Sequence, residues 1–347
     1  MMSNPLEKDL NTIVHENSSL WENFRNQKIF MTGGTGFFGC WFLESFIWAN
    51  EKLNLNAELT VLTRSKNNFE KKCPYLAAAT CVKFHEGNVQ DFIFPDKKFS
   101  YVIHAATEAS ASLNDNHPFL MIDTIIKGTA HTLEFARHAD AKKFLFISSG
   151  AVYGRQPPNL SHVSEAYPCQ PKLDDPRSAY AVGKCTAEHL CTLYSKQYGL
   201  DIKIARCFAF VGPYLPLDIH FAIGNFIRDG LKGGPINVNG DGSPYRSYLY
   251  AADLMIWLMT ILMRGETLRP YNVGSDEALS ISEIAHHVAD TFSPKMTVQI
   301  AREKNPAILP ERYIPDIKRA REELGLKPFT SLREAIQLTK QWNFVQR

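Results

Sequence analysis

The chain contains no CxxC and no HxxxH, and its adjacent pair His286 and His287 points to different sides of any helix, so no metal centre is expected. Its seven cysteines are an odd number without paired spacing. That excludes a disulfide framework and suits reduced, mostly buried thiols in a cytoplasmic setting. No block of basic residues occurs, and a net charge of +2 offers nothing to hold nucleic acid or an anionic membrane. No apolar run reaches the roughly 20 residues that span a bilayer. The opening MMSNPLEKDLNTIVHENSS is too polar to read as a signal peptide. Internal repeats and low-complexity tracts are also missing. What is present is 347 residues at 45% hydrophobic content, enough for one large α/β domain or two intimately packed ones.

The chain is organised around Lys28 to Gly39, KIFMTGGTGFFG. A short apolar run ends at Thr32, glycines follow at 33, 36 and 39, and Cys40 to Trp48 has helix length and strong apolarity. Strand, glycine turn and helix form the setting of a dinucleotide phosphate site. The glycines permit a tight turn and close approach, and the helix N-terminus presents free N–H groups.

From Lys28 onward, short apolar strands alternate with helices, which predicts a parallel sheet covered on both faces. Strands are expected at Leu59–Thr63, Val82–Phe84, Tyr101–His104, Phe144–Ser148 and Ile202–Val211, with helices over Pro118–Ala139 and Ser178–Tyr198. Right-handed crossovers make this a Rossmann-type doubly wound sheet, with ligands at the carboxyl ends of the strands. Residues 1–27 read as a helical extension with an apolar stripe of Leu10, Ile13, Val14, Leu20, Trp21 and Phe24, interrupted near Asn17-Ser18-Ser19. Residues 28–212 form the expected nucleotide-binding domain. Beyond Gly212-Pro213, proline, glycine and asparagine become frequent, so 213–347 reads as a smaller, irregular, mostly substrate-binding region.

Ser178 to Lys184 opens a helix, and residues four apart share one face, so Tyr180 and Lys184 lie one turn apart. A free phenol, with a pKa of about 10, is a poor base at neutral pH, but a neighbouring ammonium favours the phenolate. Such a tyrosine can take a proton from a substrate hydroxyl as hydride leaves the same carbon. Ser149, at the end of the fifth strand, is placed to hold the reacting oxygen, although a serine there also suits a plain turn.

In this order TGGTGFFG, GNVQD, VIHAAT, SSGAVYG, the Tyr180/Lys184 pair and RSYLYAADL resemble the extended short-chain dehydrogenase/reductases, within the NAD-dependent epimerase/dehydratase group acting on nucleotide sugars. The resemblance runs from Lys28 to the last helix. It implies a catalytic Ser149, Tyr180 and Lys184. It further implies a cofactor held by Gly33, Thr35, Gly36, Phe37, Phe38 and Gly39, by Asn88 and Val89 beside the adenine, by Ala105, Ala106 and Thr107 toward the nicotinamide, and by Tyr180 and Lys184 themselves. Substrate contacts are implied at Ser149, Gly150, Asn225 and Arg246, the last clamping a diphosphate, which suits a guanidinium. A homodimer is implied too, through the helix before strand five and the Tyr180 helix, with Leu120, Ile125, Leu133, Leu190, Leu193 and Tyr194 as its apolar contacts.

The chain departs from the resembled pattern. Gly150 and Ala151 stand where the 4,6-dehydratases carry Asp-Glu and the decarboxylases keep a glutamate; Glu108 is an acid that could substitute. Ile125 and Ala209 replace two common asparagines. At the end of strand two stands Thr63-Arg64-Ser65, with no acid for the ribose hydroxyls, which leans toward NADP over NAD unless Arg64 merely stacks on the adenine. These departures favour an epimerase or 4-keto reductase working by hydride transfer at carbon 4 of a nucleotide hexose. A 4,6-dehydratase or a UDP-glucuronate-type decarboxylase is the alternative, and a non-catalytic NAD(P)-binding regulator a distant one.

Overall fold

In a computed structural model that describes residues 4–107, 111–219 and 221–345, the chain divides into two compact units whose segments interleave. The first comprises residues 1–152, 171–206 and 255–271; the second comprises 153–170, 207–254 and 272–347. The division is therefore not a single change of texture at residue 212.

The first unit begins with α1 (Glu7–Glu16) and a helical turn at Ser18–Trp21. Then come β1 (Lys28–Thr32), α2 (Phe37–Lys52), β2 (Glu58–Thr63), α3 (Lys66–Lys72), β3 (Val82–Glu86), β4 (Tyr101–His104), α4 (Ala111–Asn116), α5 (Pro118–His138), β5 (Lys143–Ser149), α6 (Ala179–Tyr198) and β6 (Ile202–Cys207). After α7 (Ala251–Arg264) comes β7 (Pro270–Val273). The seven strands lie in the order β7-β6-β5-β4-β1-β2-β3. The pairs β3/β2, β2/β1, β1/β4 and β4/β5 run parallel. This is the doubly wound order, and its direction reverses between β1 and β4. The glycine turn and Ala105–Thr107 leave the sheet at that reversal, beyond the carboxyl ends, which is where doubly wound sheets take their ligands.

The strands are long apolar runs because helices cover both of their faces. Phe30, Val102, Phe144 and Ile202 are buried in one cluster with Phe135 of α5 and Ala187 of α6. Helix α2 is buried nearly all round, Glu44 and Ser45 included. A surface helix would keep a polar face; this one lies between the sheet and the N-terminal segment. Leu10, Ile13, Trp21 and Phe24 are fully buried, Trp48 Nε1 donates to Asn11 Oδ1 at 2.9 Å, and Asn17 Nδ2 donates to Ile256 O at 3.2 Å. Residues 4–24 are thus part of the first unit's core.

Two expectations are corrected here. The predicted strand Ile202–Val211 ends at Cys207; Phe210–Val211 pairs instead with Leu249–Tyr250, while Phe208 N–H donates to Val273 O. Of the apolar residues assigned to a dimer face, Ile125 and Leu133 are buried in the chain's own core, and Leu190 and Tyr194 pack against it. Leu120 and Leu193 remain half-exposed, together with Tyr198, and Phe119 is 83% exposed. Apolarity alone did not distinguish the helix face turned to the sheet from the face turned outward.

The second unit is built of short pieces. Tyr245–Arg246 pairs with Leu279–Ser280 and Arg312–Tyr313. A helix at Ala222–Leu231 and another at Ile281–Ala289, opened by a capping box of Ser280 and Glu283, complete its centre. Among the described residues, no helix is long and apolar enough to cross a membrane.

Candidate active site

The first turn of α6 is fixed from the side by Asn114 of α4. Its Oδ1 accepts the Tyr180 N–H at 3.0 Å and its Nδ2 donates to Arg177 O at 2.7 Å, so an otherwise open helix end is tied down where the tyrosine begins. One turn on, Lys184 is 3% exposed. Its ammonium donates to Ile147 O at 2.8 Å and to Thr107 Oγ1 at 3.0 Å. It also lies 4.9 Å from the Phe146 ring centre and 5.9 Å from that of Tyr180. A buried charge needs such compensation, here from a carbonyl, a hydroxyl and two ring faces. Ser149 ends β5, and its Oγ accepts the Ala151 N–H at 3.1 Å as the chain turns into Gly150–Tyr153.

The glycine turn follows β1 as predicted. Gly33 has φ +74°, and a Cβ there would meet Ala105 C and O at 2.5 Å; one on Gly39 would meet Gly34 C at 2.2 Å. The turn is thereby pressed against both Ala105 and its own helix. Gly36 is exposed at the start of α2, with no side chain capping that helix, and a Cβ there would meet nothing nearer than Gly33 O at 3.7 Å. Open space in front of free N–H groups is what a pyrophosphate requires. Phe37 and Phe38 are half-buried beside it, and Thr35 O accepts from Lys72 Nζ at 3.3 Å.

His104, at the end of β4, was not foreseen. The ring is buried, with Nδ1 2.8 Å from Thr32 Oγ1 and Nε2 3.1 Å from Thr129 Oγ1. Thr32 Oγ1 also accepts the Ala106 N–H at 3.1 Å, so the ring braces the segment that carries Thr107. Burial, and then the nearby Lys184 charge, push its pKa down to about 3. The unfolded histidine binds a proton near 6.5 and the folded one does not, so the stability this gives is complete above that pH and is lost on acidification. Going from pH 7 to pH 5 should cost about 2 kcal/mol through this residue alone. Urea unfolding should show His104→Asn with a flatter pH dependence over that interval; equal slopes would contradict it.

A second unforeseen group lies along the same helix face. Glu188, one turn beyond Lys184, accepts from Arg206 Nε and Nη2 of β6 at 3.0 and 2.7 Å, and from Ser148 Oγ at 2.5 Å. All three residues are buried. Two signals in the sequence could have revealed the pair: an arginine inside an otherwise apolar strand, and an acid continuing the spacing of 180 and 184.

Residues 29–274 match the model of the NAD dependent epimerase/dehydratase family. The chain belongs to this family. Among family members, UDP-glucuronic acid decarboxylase 6 of Arabidopsis thaliana is 30% identical over 91% of this chain and 88% of its own length. UDP-glucuronic acid decarboxylase 1 of Danio rerio is 27% identical over 91% and 72%. The fold matches UDP-glucose 4-epimerase of Thermotoga maritima with a TM-score of 0.77 at 22% identity, covering 92% of this chain and 99% of the epimerase. It also matches the Streptomyces venezuelae dTDP-glucose 4,6-dehydratase DesIV, solved with NAD bound, with a TM-score of 0.75 at 23% identity over 92% and 98%. Membership makes the chain an enzyme of an NAD-dependent family.

The remaining predicted positions are distributed as follows. Arg64 follows β2, is exposed, and has no side-chain partner among the described residues. Ser65 beside it caps α3, accepting Asn68 N–H at 3.3 Å, and Glu86 at the end of β3 accepts Lys66 N–H at 2.8 Å. Asn88 is exposed, while Val89 packs on the core close to Gly128. Gly150 is buried and Ala151 half-buried. Asn225 and Arg246 belong to the second unit, where Asn225 Oδ1 accepts from Arg228 Nη1 at 2.9 Å and Arg246 Nη1 donates to Tyr245 O at 2.8 Å. Glu108 lies outside the described residues.

Proposed function

We propose that this enzyme oxidises carbon 4 of a nucleotide-linked hexuronate and releases its carboxylate as carbon dioxide. The observation carrying the reading is the Tyr180–Lys184 face of α6, with a buried ammonium bound to Ile147 O and Thr107 Oγ1. It is joined by similarity to UDP-glucuronic acid decarboxylases over 91% of the chain. Tyr180, as phenolate, takes the proton of the 4-hydroxyl; Ser149 donates to the same oxygen; Lys184 supports the phenolate charge. A dinucleotide held at the glycine turn of Gly33, Gly36 and Gly39 would supply the hydride acceptor for carbon 4. A carboxyl group beta to the new ketone leaves with its bonding electrons flowing toward the carbonyl oxygen. Tyr180 and Ser149 stabilise the charge arriving there.

No acid is needed to expel carbon dioxide, whereas elimination of a hydroxyl needs one. Gly150 and Ala151 therefore leave decarboxylation chemically open, although they depart from the glutamate of the resembled decarboxylases, and they are unfavourable to a 4,6-dehydratase. This reading adopts the decarboxylase alternative over the epimerase or 4-keto reductase favoured from the sequence. Epimerase remains the second reading, since it too works without an acid at 150 and 151. Arg246 is assigned to the diphosphate and Asn225 to the sugar nucleotide. A homodimer and a reducing, cytoplasmic compartment belong to the same reading, the latter in keeping with seven cysteines of which none forms a disulfide among the described residues.

Incubation with UDP-glucuronic acid and NAD or NADP, followed by mass spectrometry, tests it. The expected product is a UDP-pentose, lighter by carbon dioxide, or a UDP-4-keto-pentose, lighter by carbon dioxide and two hydrogens with one NAD or NADP reduced per turnover. An isomer of unchanged mass would make the enzyme an epimerase, and a product lighter by one water a dehydratase.

The NADP lean is kept as a proposal resting on Arg64. If its guanidinium grips a 2′-phosphate, Arg64→Ala should weaken NADP by about 1.5–3 kcal/mol more than NAD, the worth of a charged hydrogen bond. Calorimetric titration with both cofactors checks this; equal losses would leave Arg64 a stacking residue.

A further inference from the structure

The geometry points to Thr107 as a positioning residue for Lys184, holding its ammonium on the Tyr180 face of α6 through one hydroxyl oxygen. Thr107 Oγ1 donates its hydrogen to Ala106 O at 2.7 Å, which turns a lone pair toward Lys184 Nζ at 3.0 Å. The hydroxyl is therefore committed as an acceptor. The backbone beneath it is fixed in turn. Ala105 N–H donates to Thr32 O at 3.2 Å, Ala106 N–H to Thr32 Oγ1 at 3.1 Å, and Thr107 N–H to Ala105 O at 3.0 Å. His104 backs Thr32 from inside the sheet.

Ile125 stands where the resembled family has an asparagine, and it is 1% exposed. It packs so closely on α6 that a Cβ at Gly183 would meet Ile125 Cδ1 at 3.0 Å. Hydrocarbon thus abuts the helix one residue before Lys184, and the support comes from the β4 loop together with Ile147 O. Two fixed acceptors favour the charged amine over the neutral one, and they fix its place relative to the phenol. Thr107 is accordingly more than lining on the path to the nicotinamide.

Thr107→Val keeps the β-branched shape and removes the acceptor. The phenol of Tyr180 is titrated by ultraviolet difference absorbance, each protein against its own Tyr180→Phe counterpart, with and without NAD. Thr107→Val should raise that titration by about one pH unit, and Thr107→Ser should restore it. The turnover arm rests on the proposed decarboxylation. With UDP-glucuronic acid, kcat near neutral pH should fall about 10- to 100-fold, the worth of a hydrogen bond to a charged group, with KM nearly unchanged and the acidic limb of the pH profile moved upward. Thr107→Ala, compared by circular dichroism, serves if the valine variant does not fold. A Tyr180 titration unmoved by either variant, or a serine variant as impaired as valine, would overturn the assignment. So would a loss of NAD affinity without a titration shift. If the parent enzyme leaves UDP-glucuronic acid unchanged, the substrate reading fails while the titration still decides Thr107.

Discussion

Tyr180→Phe is expected to bind NAD or NADP as the parent does and to lose turnover by about 10²- to 10⁴-fold, the usual worth of a positioned acid–base group. Only one oxygen is removed. The ring remains half-buried against the core, and the bonds that seat the helix start, from Tyr180 N–H to Asn114 Oδ1 and from Asn114 Nδ2 to Arg177 O, involve no phenol. Lys184 keeps Ile147 O and Thr107 Oγ1. The variant should therefore fold with the parent's Tm and show a kcat deficit far larger than any change in KM, because proton transfer belongs to the transition state. Mass spectrometric turnover assays and cofactor titration measure both sides. A variant within a few-fold of the parent would remove Tyr180 from the mechanism; one that loses cofactor binding would make the hydroxyl a binding contact.

The features that carry this prediction were legible in the sequence, for identifiable reasons. Strands covered on both faces must be apolar along their length, so β1, β4 and β5 stood out as short hydrophobic runs ending at Thr32, His104 and Ser149. Handedness of the crossovers then fixed their neighbours, and the helix period placed Lys184 one turn from Tyr180. What could not be read depended on three-dimensional pairing. His104 looked like the last residue of a strand; its link to Thr32 and Thr129 spans 72 and 25 residues of chain. Helix α2 looked like a helix with one apolar face, and only burial under residues 4–24 explains why Glu44 and Ser45 are hidden as well. The reaction was the least legible part. Gly150 and Ala151 exclude the usual acid without choosing between decarboxylation and epimerisation, and that choice rests on a carboxyl group carried by the substrate.

Breaking the Arg206–Glu188 pair should cost more stability than any other single polar change in the first unit. Arg206→Met leaves the Glu188 carboxylate buried with Ser148 Oγ and without its bidentate partner. Removing one member of such a pair typically costs about 3–5 kcal/mol, because the remaining charge has lost its compensation. Replacing both, as Arg206→Met with Glu188→Leu, removes the charges together and should cost clearly less than the sum of the singles. Chemical denaturation of the four proteins gives the cycle. The expected coupling exceeds about 1.5 kcal/mol, within the range measured for contacting groups; additive costs would mean that the two residues act independently. The site should register the same break. Glu188 is one turn from Lys184, Ser148 precedes Ser149, and Arg206 joins α6 to β6, so the pair holds the helix bearing Tyr180 in register with the strand bearing Ser149. In the surviving folded fraction of Arg206→Met, kcat should therefore fall while NAD affinity, which the proposed reading assigns to the glycine turn of β1, changes little. A variant that is destabilised but keeps full kcat would confine the pair to stability.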